Sequence, residues 1–267
     1  MKKAILIVSF GTTYTDTRTK NITAIKQQVS MLYPDTIVEE AVSSTIVRKH
    51  MQEKEHINAK SPLEALISLK EQDVTQVVVF PTHVIDGIEN NQMKNAVEEC
   101  RHLFDKIVVA DALLANADDY TDVAKALWES LKELTGNSVL IFMGHGTEHV
   151  ANELYPEMDR LFKQLGYPNI HMGTVEGNFS IESFLDELKD LHPVRVHLAP
   201  FMIVAGDHAT NDMSGEEDDS WKSILEKEGF SVTCTLKGLG ELQSIRNVFI
   251  RHTKTGLNEL SQKLVQV

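Results

Sequence analysis

The chain has 267 residues, enough for one large α/β domain or two domains of about 130 residues each. Its 42% hydrophobic and 24% charged residues are typical of a globular protein, and a formal net charge of −13 argues against a general nucleic-acid binder, which needs a basic surface. The sequence has no apolar run of about 18 residues, and its start leads directly into a predicted strand, so we expect no membrane span, no signal peptide and a cytoplasmic location.

Predicted strands and helices alternate through the first half of the chain. Helical patterns of apolar residues predict helices, and Ser61 followed by Pro62 is a helix-start signal. Short apolar runs predict strands at 4–9, 37–42, 74–80 and 107–110, and the helical patterns cover about 19–32, 47–58, 63–71, 91–104 and 118–134. This alternation favours a parallel sheet with right-handed crossover connections.

The same order of elements begins again in the second half of the chain. Strands are predicted at 139–143, 170–175, 194–199 and 231–236, and helices at about 153–165, 181–191 and 244–264. The repeat therefore predicts two copies of one βα unit.

Offsets between matching residues support this duplication. Gly11 lies 135 positions before Gly146, whereas Pro81 lies 119 positions before Pro200. The two offsets differ by 16, so the first half contains about 16 additional residues, which the sequence assigns to the polar stretch 48–58.

We predict an α/β fold of two similar tandem domains. Each domain has a parallel sheet flanked by helices, and a cleft lies between the two domains. The predicted domains are 1–135 and 136–267, and the second carries the metal site described next. The C-terminal helix is also able to pack back on the first domain.

Three polar side chains follow successive strand ends in the second half. His145 stands where the first half has Phe10, Glu176 follows the next strand, and His208 stands where the first half has Glu89. Because the carboxyl ends of parallel strands share one edge of a sheet, these side chains should converge. Two imidazoles and a carboxylate are a ligand set for Co²⁺, Fe²⁺, Ni²⁺ or Zn²⁺, and the same groups are competent bases near pH 7.

Each of the three residues also has a purely structural interpretation. His145 can serve a turn between two glycines, Glu176 can cap the next helix, and His208 can be a polar residue at a helix start. The sequence leaves these alternatives open, although the joint pattern favours the metal site. The phosphate-binding motifs GxGxxG and GxxxxGK[ST] do not occur, and neither does the GxSxG motif of serine hydrolases.

Five segments of the chain resemble the class II chelatases, most closely the anaerobic sirohydrochlorin cobalt chelatases of cobalamin biosynthesis. The similarity extends over essentially the whole chain and is most specific at 144–147, 175–177 and 200–208; the other two segments are 5–12 and 80–87. It implies a chelatase fold of two α/β domains and a lyase that inserts Co²⁺ into sirohydrochlorin, or precorrin-2, without ATP. It also implies no organic cofactor, with Co²⁺ as the substrate metal.

The resemblance assigns roles to particular residues. It implies that His145 and His208 are metal ligands and that Glu176 is their acidic partner, and these three residues are our catalytic candidates. We expect Glu176, with either imidazole once the metal has left it, to accept the pyrrole protons. Phe10 and Glu89 are candidates for facing the tetrapyrrole, although a core role for Phe10 is equally compatible with the sequence.

Two alternative functions remain compatible with the sequence. Related iron and nickel chelatases use similar histidines, so the metal is not fixed by them, and a non-catalytic carrier of metal or tetrapyrrole would also have two lobes. The expected partners are sirohydrochlorin and a divalent metal, with no nucleic acid and no membrane. An oligomer is compatible with the sequence.

Overall fold

A computed structural model describes residues 1–134 and 138–262 of the chain. The chain divides into two compact units, one made of Met1–Ala115 with the described residues from Arg246 onward, the other of Asn116–Ile245. Each unit contains a parallel four-stranded sheet with helices around it. The predicted fold class, two similar α/β domains with parallel sheets, is therefore confirmed.

The regular elements follow the predicted alternation. The strands are β1 (Lys3–Ser9), β2 (Ile37–Val42), β3 (Gln76–Pro81), β4 (Lys106–Val109), β5 (Val139–Gly144), β6 (Ile170–Thr174), β7 (Val196–Pro200) and β8 (Val232–Cys234). The α-helices are α1 (Thr15–Arg18), α2 (Ala24–Leu32), α3 (Thr45–Glu55), α4 (Pro62–Glu71), α5 (Ile88–Cys100), α6 (Ala117–Leu131), α7 (Leu154–Gln164), α8 (Leu185–Leu191), α9 (Trp221–Lys227) and α10 (Gln243–Ser261). Among the described helices, none is both long and apolar enough to cross a membrane.

The two sheets have the same topology. Their strand orders are β2-β1-β3-β4 and β6-β5-β7-β8, so the first strand of each unit lies inside its sheet and pairs with the second and third. The apolar residues of β1 and β5 are almost completely buried, as continuous apolar runs in parallel sheets require. The identical strand order of the two sheets agrees with the repeated order of elements that the sequence predicts.

The additional residues of the first half form helix α3. Ser44 caps this helix by accepting a hydrogen bond from the backbone N–H of Val47. At the other end of the helix, the Arg18 guanidinium donates to both carboxylate oxygens of Glu55, and this pairing lowers the pKa of the Glu55 carboxyl. The polar stretch that the sequence offset singled out is therefore an extra helix attached to α1.

Aromatic contacts hold helix α10 on the first unit and helix α6 on the second. Phe249 of α10 packs on Phe80 of β3 with ring centroids 5.4 Å apart, which holds the C-terminal helix on the first unit. Trp128 of α6 stacks on Tyr167 at 4.4 Å, which holds α6 on the second. Helix α6 was expected in the first domain; the predicted boundary itself, at residues 135 and 136, lies outside the described residues.

His171 is a buried histidine within β6 that lies outside the candidate metal site. Its ring is fully buried against Phe184, and Lys163 donates a hydrogen bond to Nδ1 at 3.2 Å. Burial, and to a smaller extent the positive charge of Lys163, lower the pKa of His171 to about 4. The Asp159 carboxylate acts in the opposite direction. The imidazole is therefore neutral in the folded protein at pH 7.

This burial predicts a pH-dependent stability. The His171 pKa lies below its unfolded value of about 6.5, so its contribution is complete above pH 6.5 and is lost as pH falls towards 4. Between pH 7 and pH 5 the loss should be on the order of 2 kcal/mol. Urea denaturation at both pH values should show a smaller loss for His171→Gln than for the wild type. The exposed His102→Gln is the control, and equal losses in all three proteins would contradict the assignment.

Candidate metal centre

Three side chains meet at the carboxyl edge of the second sheet. His145 directly follows β5, Glu176 lies two residues beyond β6, and His208 lies beyond β7. Since β5 lies between β6 and β7, the three strand ends are neighbours. Taking one ligand atom from each side chain, all three atoms lie within 4.8 Å of one another.

The backbone at Gly146 brings His145 and Glu176 together. The N–H of Glu176 donates to the carbonyl oxygen of His145 at 2.8 Å, and the N–H of Val175 donates to Gly144 at 3.0 Å. Gly146 has φ +82°, and a Cβ at this position would lie 2.0 Å from the carbonyl oxygen of Glu176. Only glycine therefore permits this close approach of the two strand ends.

The two imidazoles present one ring nitrogen each for a metal. Their ring centroids are 4.7 Å apart and the rings are nearly perpendicular, at 88°. His145 Nδ1 lies 2.8 Å from the carbonyl oxygen of Gly146, and a carbonyl can only accept a hydrogen bond. The proton therefore resides on Nδ1, which leaves the Nε2 lone pair of His145 available as a ligand.

The carboxylate of Glu176 is the third candidate ligand. Its Oε2 lies 3.8 Å from His145 Nδ1. Two ligands bound to one first-row divalent ion at about 2.1 Å lie about 3.0–4.2 Å apart, depending on their angle at the ion, so ligand atoms within 4.8 Å of one another need to move closer by no more than about 2 Å. Two nitrogen ligands and one oxygen ligand suit a borderline divalent ion.

The site is open to solvent. The side chains are 44% exposed at His145, 56% at Glu176 and 33% at His208, in contrast to the fully buried His171. Structural metal sites are closed by protein ligands, whereas catalytic sites keep a coordination position free. This openness suits an ion that must enter and leave.

Asp212 is a member of the site that the sequence analysis missed. Its Oδ2 lies 2.7 Å from His208 Nδ1, and Asp212 belongs to a short π-helical turn, Ala209–Met213, that directly follows His208. The sequence signal for this contact is the spacing of four residues between His208 and Asp212, which places the two side chains on one face of a helix. A helix start at His208 was one interpretation of the sequence, but the pairing of His208 with Asp212 was not predicted from it.

Phe10 and Glu89, the predicted tetrapyrrole-facing residues, belong to the first unit. Phe10 directly follows β1 and is 51% exposed, so it does not have the core role that the sequence left open. Glu89 lies half-buried in the first turn of α5. Their proposed contact with a tetrapyrrole stays a prediction.

A duplicated α/β scaffold with two histidines and a carboxylate at one sheet edge is the arrangement expected of a protein that handles a divalent metal ion. A family model described as cobalt chelatase (CbiK) matches residues 3–258. The chain therefore belongs to the CbiK cobalt chelatase family.

Individual relatives are similar over almost the full length. The sirohydrochlorin cobaltochelatase of Salmonella typhimurium is 35% identical over 258 residues, covering 97% of each chain. The sirohydrochlorin cobaltochelatase CbiKC of Nitratidesulfovibrio vulgaris is 30% identical over 262 residues, covering 97% of this chain and 92% of the relative. Among solved structures, SirB from Bacillus subtilis with Fe³⁺ superposes with a TM-score of 0.71, 13% identity and 98% coverage of both chains, which supports the fold.

The geometry at Gly146 predicts that Gly146→Ala destabilises the protein more than Gly166→Ala. Gly166 has a similar φ of +84°, but nothing lies within 4 Å of a Cβ there. Gly166→Ala should cost only the left-handed backbone penalty of about 1–2 kcal/mol, whereas Gly146→Ala should cost about 1–3 kcal/mol more because of the clash with Glu176. Urea denaturation measures both, and Co²⁺ titration should show weaker binding for Gly146→Ala alone. Equal stability and equal Co²⁺ binding in the two variants would contradict the close approach.

Proposed function

We propose that the protein inserts Co²⁺ into sirohydrochlorin without ATP, and that His145, Glu176 and His208 carry the reaction. The observation that supports these residues is the meeting of their three ligand atoms within 4.8 Å on neighbouring strand ends. Membership of the cobalt chelatase family and the names of the two relatives support the metal and the tetrapyrrole.

The two imidazoles and the carboxylate hold the incoming ion. Three protein ligands leave coordination positions that water fills first and pyrrole nitrogens fill later. A single carboxylate neutralises only part of the charge of Co²⁺, so the ion is held less firmly than in a closed structural site. The substrate ion can therefore be passed on to the macrocycle.

Insertion also requires proton acceptors. Formation of the cobalt complex replaces two pyrrole N–H bonds by Co–N bonds, so two protons leave the ring for each ion inserted. Glu176 is an ionised carboxylate beside the ion and accepts one proton, and an imidazole released by the metal accepts the other. The exposed positions of Glu176 and His145 let both protons pass to solvent.

Phe10 and Glu89 of the first unit are proposed to face the tetrapyrrole. Phe10 offers an exposed aromatic face on which the flat tetrapyrrole can stack, and Glu89 offers a second carboxylate. The domain boundary at residues 135 and 136, the absence of an organic cofactor, the cytoplasmic location and the oligomeric state remain predictions.

The test of this function is catalytic turnover. Purified protein at substoichiometric concentration is mixed with Co²⁺ and sirohydrochlorin, and formation of the cobalt complex is followed by absorbance. We expect many turnovers per protein molecule without ATP. Metallation no faster than the protein-free rate would contradict the chelatase and favour a carrier, and parallel reactions with Fe²⁺ and Ni²⁺ at matched free metal establish the preferred ion.

Loss of either imidazole should abolish most of the activity. His145→Ala and His208→Ala should each reduce the insertion rate by more than about a hundredfold, since even residues that only support a metal ligand contribute about 10–100-fold. His102→Ala, which removes an exposed imidazole from the first unit, should retain the wild-type rate. Circular dichroism verifies that all three variants are folded. Near-normal rates in the first two would remove the proposed metal role.

A further inference from the structure

The orientation of the His208 ring is not set by a strand. His208 lies eight residues beyond the end of β7, where the chain enters the π-helical turn Ala209–Met213. His145, in contrast, adjoins the last residue of β5, and its Nδ1 is satisfied by the neighbouring carbonyl of Gly146. His208 lies at the start of this helical turn, away from the sheet, so a side-chain contact can fix the plane of its ring.

Asp212 supplies that contact. Its Oδ2 lies 2.7 Å from Nδ1 of His208, within the range of a charge-assisted hydrogen bond. An ionised carboxylate can only accept, so Nδ1 must carry the proton. The lone pair of the ring then resides on Nε2, the same nitrogen that the Gly146 carbonyl leaves free on His145.

We propose that Asp212 is a positioning residue for the metal centre. It holds His208 in the Nδ1–H form, fixes the plane of the ring and increases the basicity of Nε2 as a ligand for Co²⁺. The proposal rests on the proposed function, because it assumes that His208 binds the ion. The two imidazoles then form a matched pair of Nε2 donors, one oriented by a backbone carbonyl and the other by a carboxylate.

The same turn offers a control for the effect of charge alone. Asp207 directly precedes His208, and its Oδ1 accepts a hydrogen bond at 2.9 Å from Asn211, also four residues on. Asp207→Asn removes one negative charge next to His208 and leaves the Asp212 carboxylate in place. Asp212→Asn removes the same charge and also the obligatory acceptor, because an amide can turn its NH₂ group towards Nδ1.

Co²⁺ binding without tetrapyrrole provides the first readout. The visible absorption of protein-bound Co²⁺ is titrated in the wild type, Asp212→Asn, Asp207→Asn and His208→Ala. Asp212→Asn should bind Co²⁺ about 10–100-fold more weakly, and Asp207→Asn within about twofold of the wild type. In the insertion reaction, Asp212→Asn should raise the KM for Co²⁺ and leave the KM for sirohydrochlorin unchanged.

The tautomer itself provides the second readout. Long-range ¹H–¹⁵N NMR of protein labelled at histidine should show His208 of the wild type in the Nδ1–H form, and Asp212→Asn should shift it towards the Nε2–H form. The wild-type spectrum tests the proposal even if Asp212→Asn does not fold.

The outcomes separate this proposal from the proposed function. Wild-type His208 in the Nε2–H form, or equal Co²⁺ affinities in Asp212→Asn and Asp207→Asn, would overturn the role of Asp212. Unchanged Co²⁺ binding in His208→Ala would overturn the metal site on which that role depends. Weak Co²⁺ binding in His208→Ala and in Asp212→Asn, with unchanged binding in Asp207→Asn, supports the metal site and the positioning role of Asp212.

Discussion

The candidate metal centre depends on one backbone hydrogen bond, from the N–H of Glu176 to the carbonyl oxygen of His145. It joins the segments that follow β5 and β6, and it forms only because Gly146 adopts φ +82° with no Cβ to collide with Glu176. Both side chains leave the backbone next to this bond, so their separation is set before any metal arrives. Such preorganisation reduces the cost of bringing ligands together around an ion.

The duplicated scaffold explains where the site lies but not what it does. Gly11 of the first unit has φ +93°, close to the value at Gly146, and the strand order of the two sheets is the same. The first unit nevertheless carries Phe10 where the second carries His145. The shared topology therefore provides two equivalent sheet edges, and only the side chains of the second unit turn its edge into a candidate metal centre.

Features that depend on local sequence were predictable. Apolar β-branched runs located all eight strands of the described residues to within a few positions, and the ends of three of them identified His145, Glu176 and His208 as neighbours. Long-range contacts were not predictable from these patterns: the Trp128–Tyr167 stack determines the unit that α6 joins. The contact between Asp212 and His208 depends on a π-helical turn, for which the sequence has no periodic signal.

X-ray absorption spectroscopy at the cobalt edge tests the central claim most directly, because it counts the imidazoles bound to the substrate ion before any insertion occurs. With one equivalent of Co²⁺, the wild-type protein should show two imidazole nitrogens at about 2.1 Å together with oxygen ligands. His208→Ala should show one imidazole. A first shell made only of oxygen atoms, or an imidazole count that does not change in His208→Ala, would contradict the assignment of His145, Glu176 and His208 as the site that holds the metal.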